Sequence, residues 1–225
     1  MKKYSWIIPI RNEAESVPQL INEVKKVMGT KNYEIIAAND ASTDTTITIL
    51  AELENKNPNL KTINFQTQMG KWAALRSGFE KSTGKIIITS DSDLQDNPKE
   101  VTKLLKAMEK GYDLVSGARN NRKDSFYKTF LSKLGSSFFK FQDINSPFKV
   151  YRRQVFKHIP KEGSLIRFSP FFAVKMGYKV AEIKINSRKR KFGKSKFGVE
   201  KYFRIVYDAI LISLLFMGSG RINKK

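Results

Sequence analysis

The stretch Lys85-Ile86-Ile87-Ile88-Thr89-Ser90-Asp91-Ser92-Asp93-Leu94-Gln95-Asp96-Asn97-Pro98 decides how the rest of the chain is read. Three successive isoleucines, opened by Gly84 and Lys85, have the length and character of a buried strand. The run then breaks into Asp91-Ser92-Asp93, followed by a third carboxylate and a proline. Carboxylates crowded at the end of a buried strand repel one another, and a hard divalent cation is the usual means of holding them together. Mg²⁺ and Mn²⁺ take oxygen ligands and bridge one or two carboxylates to substrate phosphates. If the backbone stays extended, Asp91 and Asp93 at i and i+2 point the same way and suit one shared ion. The alternative is a polar strand end followed by a helix N-cap, with Asp96 or Asn97 capping a helix that has Pro98 at its first position.

On either side of this stretch the pattern alternates. Tyr4 to Ile10 reads as a strand ending in Arg11-Asn12-Glu13, and Ala14 to Met28 as a helix stopped by Gly29. Tyr33 to Ala38 is a second apolar strand, ending in Asn39-Asp40, and Ser42-Thr43-Asp44 caps a helix over residues 45–55. A strand over 61–65 follows, then a helix opened by Gly70 and closing near Ser82-Thr83-Gly84. Pro98 to Lys110 reads as a helix, and Asp113 to Ser116 as a strand closing in Gly117-Ala118-Arg119. Such alternation predicts an α/β domain, a mostly parallel sheet with helices on both faces. Ligands of these sheets bind beyond the carboxyl ends of the strands, so the polar sets after each strand converge on one crevice.

The chain has 225 residues, no cysteine and a net charge of +21. Without cysteine there is neither a disulfide framework nor a thiolate metal site. Residues 1–6 lack a long apolar run, and no secretory signal is expected. The charge is uneven: through Val115 the balance is +1, and from Ser116 onward it is +20. That split points to a polyanionic partner for the second half, nucleic acid or anionic membrane. Phe126 to Phe141 reads as a basic helix with a broad aromatic face, either core-facing or lying in a membrane interface. Phe148 to Tyr151 and Tyr178 to Ile185 read as strands, and the single histidine, His158, as structural or surface. Asn186 to Arg204 carries eight Lys/Arg and one acid, the composition of a phosphate clamp or of a solvated surface. Val199 to Met217 reads as an increasingly apolar helix whose fully apolar part is shorter than the roughly 20 residues a membrane span needs.

Several segments together resemble the family-2 glycosyltransferases of the GT-A fold, and more closely the polyprenyl-phosphate sugar synthases, the group of dolichyl-phosphate mannose synthase and undecaprenyl-phosphate glycosyltransferases. Ile8-Pro9-Ile10-Arg11-Asn12-Glu13 is similar to that family's V-P-x-Y-N-E, and Asn39-Asp40-Ala41-Ser42-Thr43-Asp44 to its D-D-G-S-x-D. Gly70 to Leu75 resembles G-K-G-x-A-L, and Asp91 to Pro98 resembles D-x-D-L-Q-x-x-P, the most specific of the set. Ser116 to Arg119 resembles S-G-x-R, Asp143 to Arg153 resembles D-x-x-S-G-F-[KR]-x-Y-R-R, and Arg190 to Lys196 resembles R-x-x-G-x-S-K. The departures are Asn39 for a first aspartate, Arg11 for an aromatic, and Trp72 and Pro147 for glycines.

The resemblance implies a GT-A domain (Rossmann-like) over 1–186, with a nucleotide-sugar half over 1–115 and an acceptor half over 116–186. Residues 187–225 would form a basic loop and an amphipathic interfacial helix. It implies inverting, metal-dependent transfer of a sugar from a GDP- or UDP-sugar to a polyprenyl phosphate at the cytoplasmic face of a membrane. Pro9, Arg11, Glu13, Asp40, Lys71 and Asp91 would hold the donor nucleotide, and Asp91, Asp93 and Gln95 a Mg²⁺ or Mn²⁺. Arg119, Arg190, Ser195 and Lys196 would bind the acceptor phosphate, with Asp93, Arg119 and Arg190 as catalytic groups. Its partners would be the donor, the lipid phosphate, an anionic membrane surface and an anchoring subunit, with no nucleic acid. Three rivals remain open from sequence: a soluble glycosyltransferase acting on a glycan or protein, a silent scaffold subunit, and a nucleic-acid-binding protein. The last leaves the acidic stretch unexplained.

Overall fold

The computed structural model describes residues 2–119, 141–160 and 163–192. The segments read above as helices over 126–141 and 199–217 lie outside the described residues, save Phe141. The strands are β1 (Tyr4–Ile10), β2 (Tyr33–Asn39), β3 (Leu60–Asn64), β4 (Ile86–Thr89), β5 (Leu114–Arg119), β6 (Lys149–Arg152) and β7 (Val180–Ile185). The helices are α1 (Val17–Met28), α2 (Thr46–Asn55), α3 (Lys71–Lys81), α4 (Val101–Glu109), α5 (Arg153–His158) and α6 (Ser169–Lys175), with 3₁₀ turns at Pro98–Glu100 and Gly163–Phe168.

One seven-stranded sheet runs in the order β3-β2-β1-β4-β6-β5-β7. Every pairing is parallel except those of β6, which lies antiparallel between β4 and β5. That insertion departs from simple βα alternation: β5 does not pair with β4 but is joined to it through a strand that arrives 30 residues later in sequence. The central strands β1 and β2 are buried along their whole length, so they read as continuous apolar runs. β1 divides its side chains by alternation. Trp6, Ile8 and Ile10 pack with α1, α2 and α4, while Ile7 packs with α3, α5 and α6.

Helix boundaries shift where local chemistry intervenes. The segment over 14–16 is a turn, closed by Ser16 and Val17 N–H groups on Glu13 O, and α1 begins only at Val17. The helix expected over 98–110 opens as a 3₁₀ turn. Its N-cap is Asn97, whose Oδ1 accepts from Lys99 N at 3.2 Å, so the capping reading of this stretch holds alongside the acidic one. The short helices α5 and α6 have no clear apolar period in sequence.

At the end of the sheet away from the crevice, buried Glu34 binds three strands and a turn. Its Oε1 accepts from Ser5 Oγ (2.7 Å), Thr83 N (2.6 Å) and Thr83 Oγ1 (2.9 Å), and Oε2 pairs with Lys61. A Cβ on Gly84 would fall 2.6 Å from the Ser5 nitrogen. Only glycine lets the chain enter β4 that close to β1.

Candidate active site

The carboxyl ends of β1, β2, β4 and β5 bring together Arg11, Asn39, Asp40, the Asp91–Asp96 turn and Arg119. Three non-glycine residues adopt left-handed backbone there: Asn12 (φ 49°), Ala41 (φ 50°) and Leu94 (φ 63°), following β1, β2 and β4 respectively. Strain of this kind is retained where the surroundings over-determine it, often at functional sites. Ala41 stands where the motif quoted above carries glycine. Ala41→Gly is therefore expected to raise stability by about 1 kcal/mol, because relief of the left-handed alanine outweighs the added freedom of the unfolded chain; a denaturation midpoint moving the other way would contradict it.

The acidic turn is not an extended strand end. β4 stops at Thr89, the chain bends over Ser92–Leu94, and buried Leu94 takes the left-handed conformation. The turn, rather than i/i+2 alternation, gathers the carboxylates. Trp6 Nε1 donates to Ser90 Oγ at 2.8 Å and fixes its root. Asp91 is half-exposed and pairs with Lys71 Nζ. Asp93 is buried; its Oδ1 accepts from Gln95 N (3.1 Å) and its Oδ2 from Arg190 NH2 (2.6 Å). Burial, then the charge of Asp91, pushes the Asp93 carboxyl up from its ordinary value.

Asp96, to which the sequence reading gave no role beyond capping, is the third member. It is 2% exposed; Oδ2 accepts from Asp91 N at 3.2 Å, and Oδ1 has no hydrogen-bond partner among the described residues. Burial, then the neighbouring Asp91, pushes its carboxyl up to about 7. Between the ordinary value of 3.8 and about 7 the folded protein thus holds a proton on Asp96 that the unfolded chain has lost. Stability from this group falls as pH rises through that window. With chelator present, Asp96→Asn is expected to flatten the decline between pH 4 and 7 relative to wild type; parallel pH curves for the two proteins would refute the assignment.

Hard carboxylate oxygens with an orphan among them suit Mg²⁺ or Mn²⁺. Among the described residues no three acidic or histidine side chains form a closed cage. In phosphate chemistry none is required, because such an ion takes one or two carboxylates and completes its shell from substrate and water.

Basic groups ring the turn. Arg119 is held in a bidentate pair by buried Asp143, Nε to Oδ2 at 2.6 Å and NH2 to Oδ1 at 3.0 Å. Burial opposes its charge, but the hydrogen bonds and charge of Asp143, then Asp96 and Asp91, raise it further. Asp143 is in turn oriented by Glu182, which accepts from the Gln142 and Asp143 amides at 2.6 and 2.9 Å. Lys149 is buried and donates to the carbonyls of Ile144, Ser146 and Arg167. Burial pushes its ammonium down to about 7, yet three carbonyl acceptors match all three N–H of the charged form, which we take to be the state present. A narrow pocket beside Asp91 is lined by Lys71, Trp72, Asn145, Lys149 and Arg167.

Asp40 takes an unexpected position. Its Oδ1 accepts from Met69 N (2.7 Å) and Gly70 N (3.0 Å), and its Oδ2 lies 3.0 Å from Gly70 N. It caps the entry to α3 and so places Lys71. Asn39 is likewise engaged, with Asn64 (2.9 Å) and Ser42. Glu13, half-buried, accepts from Ser16 Oγ at 2.8 Å, and Pro9 is buried within β1. Gln95 contributes its backbone, N–H to Asp93 and carbonyl to Arg188 N. Ser195 and Lys196 lie outside the described residues. His158 is a surface group bonded to Tyr178 OH at 2.7 Å.

The fold is similar to that of glucosyl-3-phosphoglycerate synthase from Mycobacterium tuberculosis. Against the structure of that protein with Mn²⁺, UDP and phosphoglyceric acid, the TM-score is 0.75 at 16% identity, over 97% of this chain and 80% of that one. Against its structure with Mn²⁺ and UDP-glucose, the TM-score is 0.72 at 16% identity, over 94% and 78%. Residues 1–349 of S. aureus TarS give a TM-score of 0.58 at 22% identity, over 80% of this chain and 58% of that one. At these identities the likeness is one of fold. The profile of the family described as Glycosyl transferase family 2 runs from residue 5 to residue 171. It spans β1 through the acidic turn to α6, and the chain belongs to that family.

Proposed function

We propose that this chain transfers a sugar from a nucleotide diphosphate sugar to the phosphate of a polyprenyl lipid at a membrane surface. The observation that carries the transfer reading is the acidic turn with its counter-charges: Asp91, Asp93 and Asp96 gathered at the mouth of the sheet, with Lys71, Arg190 and Arg119 against them. The M. tuberculosis neighbour holds Mn²⁺ with UDP-glucose, a donor of the chemistry this arrangement suits. Asp91 and Asp93, with Gln95 beside them, would hold the divalent cation, which supplies charge for the leaving diphosphate when bound.

This chain's own groups then divide the work. Arg11 and Glu13 stand at the nucleoside end. Asp40 stands there too, and by accepting from the Met69 and Gly70 amides it also holds Lys71 toward the phosphates. Trp72 and Asn145 wall the pocket beside Asp91 for the sugar. Arg119 and Arg190 offer fixed donors to the donor and acceptor phosphates. An acceptor phosphate is already ionised near neutral pH and needs no general base. Asp96, a buried carboxylate with a raised pKa, lies beneath the Asp91 backbone, where it tunes the turn rather than reaching an acceptor. Attack opposite the leaving diphosphate inverts the anomeric centre. Lipid phosphate is favoured by the close match of motifs and by the balance of +20 after Ser116, since each Lys or Arg near an anionic membrane contributes about 1 kcal/mol.

The test is direct. The full chain, Mn²⁺ or Mg²⁺, a short polyprenyl phosphate and a panel of UDP- and GDP-sugars are incubated and lipid-linked sugar is sought by mass spectrometry. Phosphoglycerate and a glycan serve as competing soluble acceptors. Metal-dependent product on the lipid supports the proposal; product on a soluble acceptor alone overturns the lipid reading and keeps the transferase.

A further inference from the structure

Arg188 belongs to none of the motifs quoted above and precedes Arg190 by two residues. Its NH1 donates to both carboxylate oxygens of Glu23 on α1, at 3.0 and 2.7 Å, and its NH2 donates to Asn97 Oδ1 at 2.7 Å. Its backbone N–H donates to Gln95 O at 2.8 Å, and Ser187 bridges Asp96 in antiparallel register. Asn97 Oδ1 is the same oxygen that caps the 3₁₀ turn. Lys191 Nζ reaches Gln19 Oε1 at 3.0 Å, and Gln19 Nε2 donates to Glu23 Oε1 at 2.8 Å. Burial pushes the Glu23 carboxyl up, but the bonds from Gln19 and Arg188 outweigh it and hold the group below its ordinary value.

Residues 187–192 are thus a strap tied to α1 on one side and to the acidic turn on the other. Arg188, Lys189, Arg190 and Lys191 are four consecutive cations, all attracted by the same carboxylates. Nothing in charge alone selects which of them enters the crevice. In an extended segment, a slip of one residue turns a different side chain inward, so Lys189 or Lys191 would then face Asp93. Glu23 and Asn97 distinguish Arg188 from its lysine neighbours by geometry: NH1 sits on the Glu23 carboxylate while NH2 reaches Asn97 Oδ1, two partners held at once by a rigid planar group, where an ammonium is a single point donor.

We propose that Arg188 is a positioning residue: its guanidinium on Glu23 and Asn97 sets the register of the strap, so that Arg190, rather than Lys189 or Lys191, meets Asp93. The register stands on geometry alone; its consequence for turnover rests on the glycosyl transfer proposed above.

Two variants of the full chain test it, Arg188→Ala and Glu23→Ala, the second on α1 and away from the reacting atoms. In both, amide exchange across 187–192 is expected to quicken about tenfold while the rest of the sheet keeps its protection. The melting temperature should drop by less than about 4 °C. With the active donor, kcat should fall about tenfold with donor KM little changed. In an Arg190→Ala background, either variant should cost nothing further, because the group being positioned is gone. Arg188→Lys should recover only part of the rate. Unchanged exchange across the strap, or losses that multiply in the Arg190→Ala background, overturns the proposal. If wild type turns over no donor, the transferase reading fails by itself and the exchange rates still decide the register.

Discussion

Asp93→Ala is expected to lower sugar transfer by about 10²- to 10³-fold, the range seen when one fixed electrostatic partner of a transition state is removed. Asp93 is the buried member of the turn, with one oxygen held by the Gln95 amide and the other by Arg190. It is therefore pre-aimed, whereas half-exposed Asp91 keeps more freedom. The loss should appear chiefly in kcat and should not be rescued by excess donor. Stability should change little, since the carboxyl is already disfavoured by burial and by Asp91, and its removal relieves that repulsion. A melting curve run beside the assay separates the two effects. A variant that retains transfer within about threefold of wild type would remove Asp93 from the chemistry, because so small a change is worth less than one hydrogen bond.

Asp143→Ala is expected to be the most damaging substitution for the fold. The Arg119 side chain is 13% exposed and its partner 4%. Truncating one member of a buried pair leaves the other charge uncompensated, at a cost of about 3–5 kcal/mol. For a chain of this size that is a fall of about 10 °C or more in melting temperature. The double variant Asp143→Asn/Arg119→Met, which removes both charges and keeps the volume, should cost clearly less than Asp143→Ala. Equal losses in the two variants would mean that the pair contributes packing and not charge balance. Transfer should fail in both, because Asp143 aims Arg119 toward Asp96 and Asp91.

The strands and the crevice were legible because buried parallel strands are written as apolar runs and their carboxyl ends as polar clusters. Tyr4–Ile10 and the Asp91–Pro98 stretch carry that signal plainly. What escaped reading is of a different kind. The antiparallel entry of β6 between β4 and β5 is a choice of neighbour, and Lys149–Arg152 looks the same in either direction. The short helices α5 and α6 are held by the apolar cluster beneath them rather than by their own periodicity. Asp96 looked like a cap because nothing in a sequence states that an oxygen will be left without a partner. Asp40 also accepts from amides 29 and 30 residues away, and Arg188 finds Glu23 across 165 residues. Pairings at such separation leave no local trace.

The seam in the sheet also sets a timetable. β1 to β4 can pair as soon as residue 89 is made, since their partners all precede it. The outer edge of β4 must wait for Lys149–Arg152, some 60 residues later, roughly 3–12 s at ordinary rates of synthesis. During that interval a strand reading Ile-Ile-Ile-Thr presents an open ladder, the kind of edge that recruits other chains. Until β6 is made β5 has no place in the sheet, so the acidic turn of this four-stranded unit stands without the docked Arg119–Asp143 pair and without Arg190. Repulsion among Asp91, Asp93 and Asp96 is answered only by Lys71 until the later segment arrives. Nascent chains stalled between residues 89 and 149 should for this reason be the aggregation-prone species of this protein, and the catalytic crevice the last part of it to close.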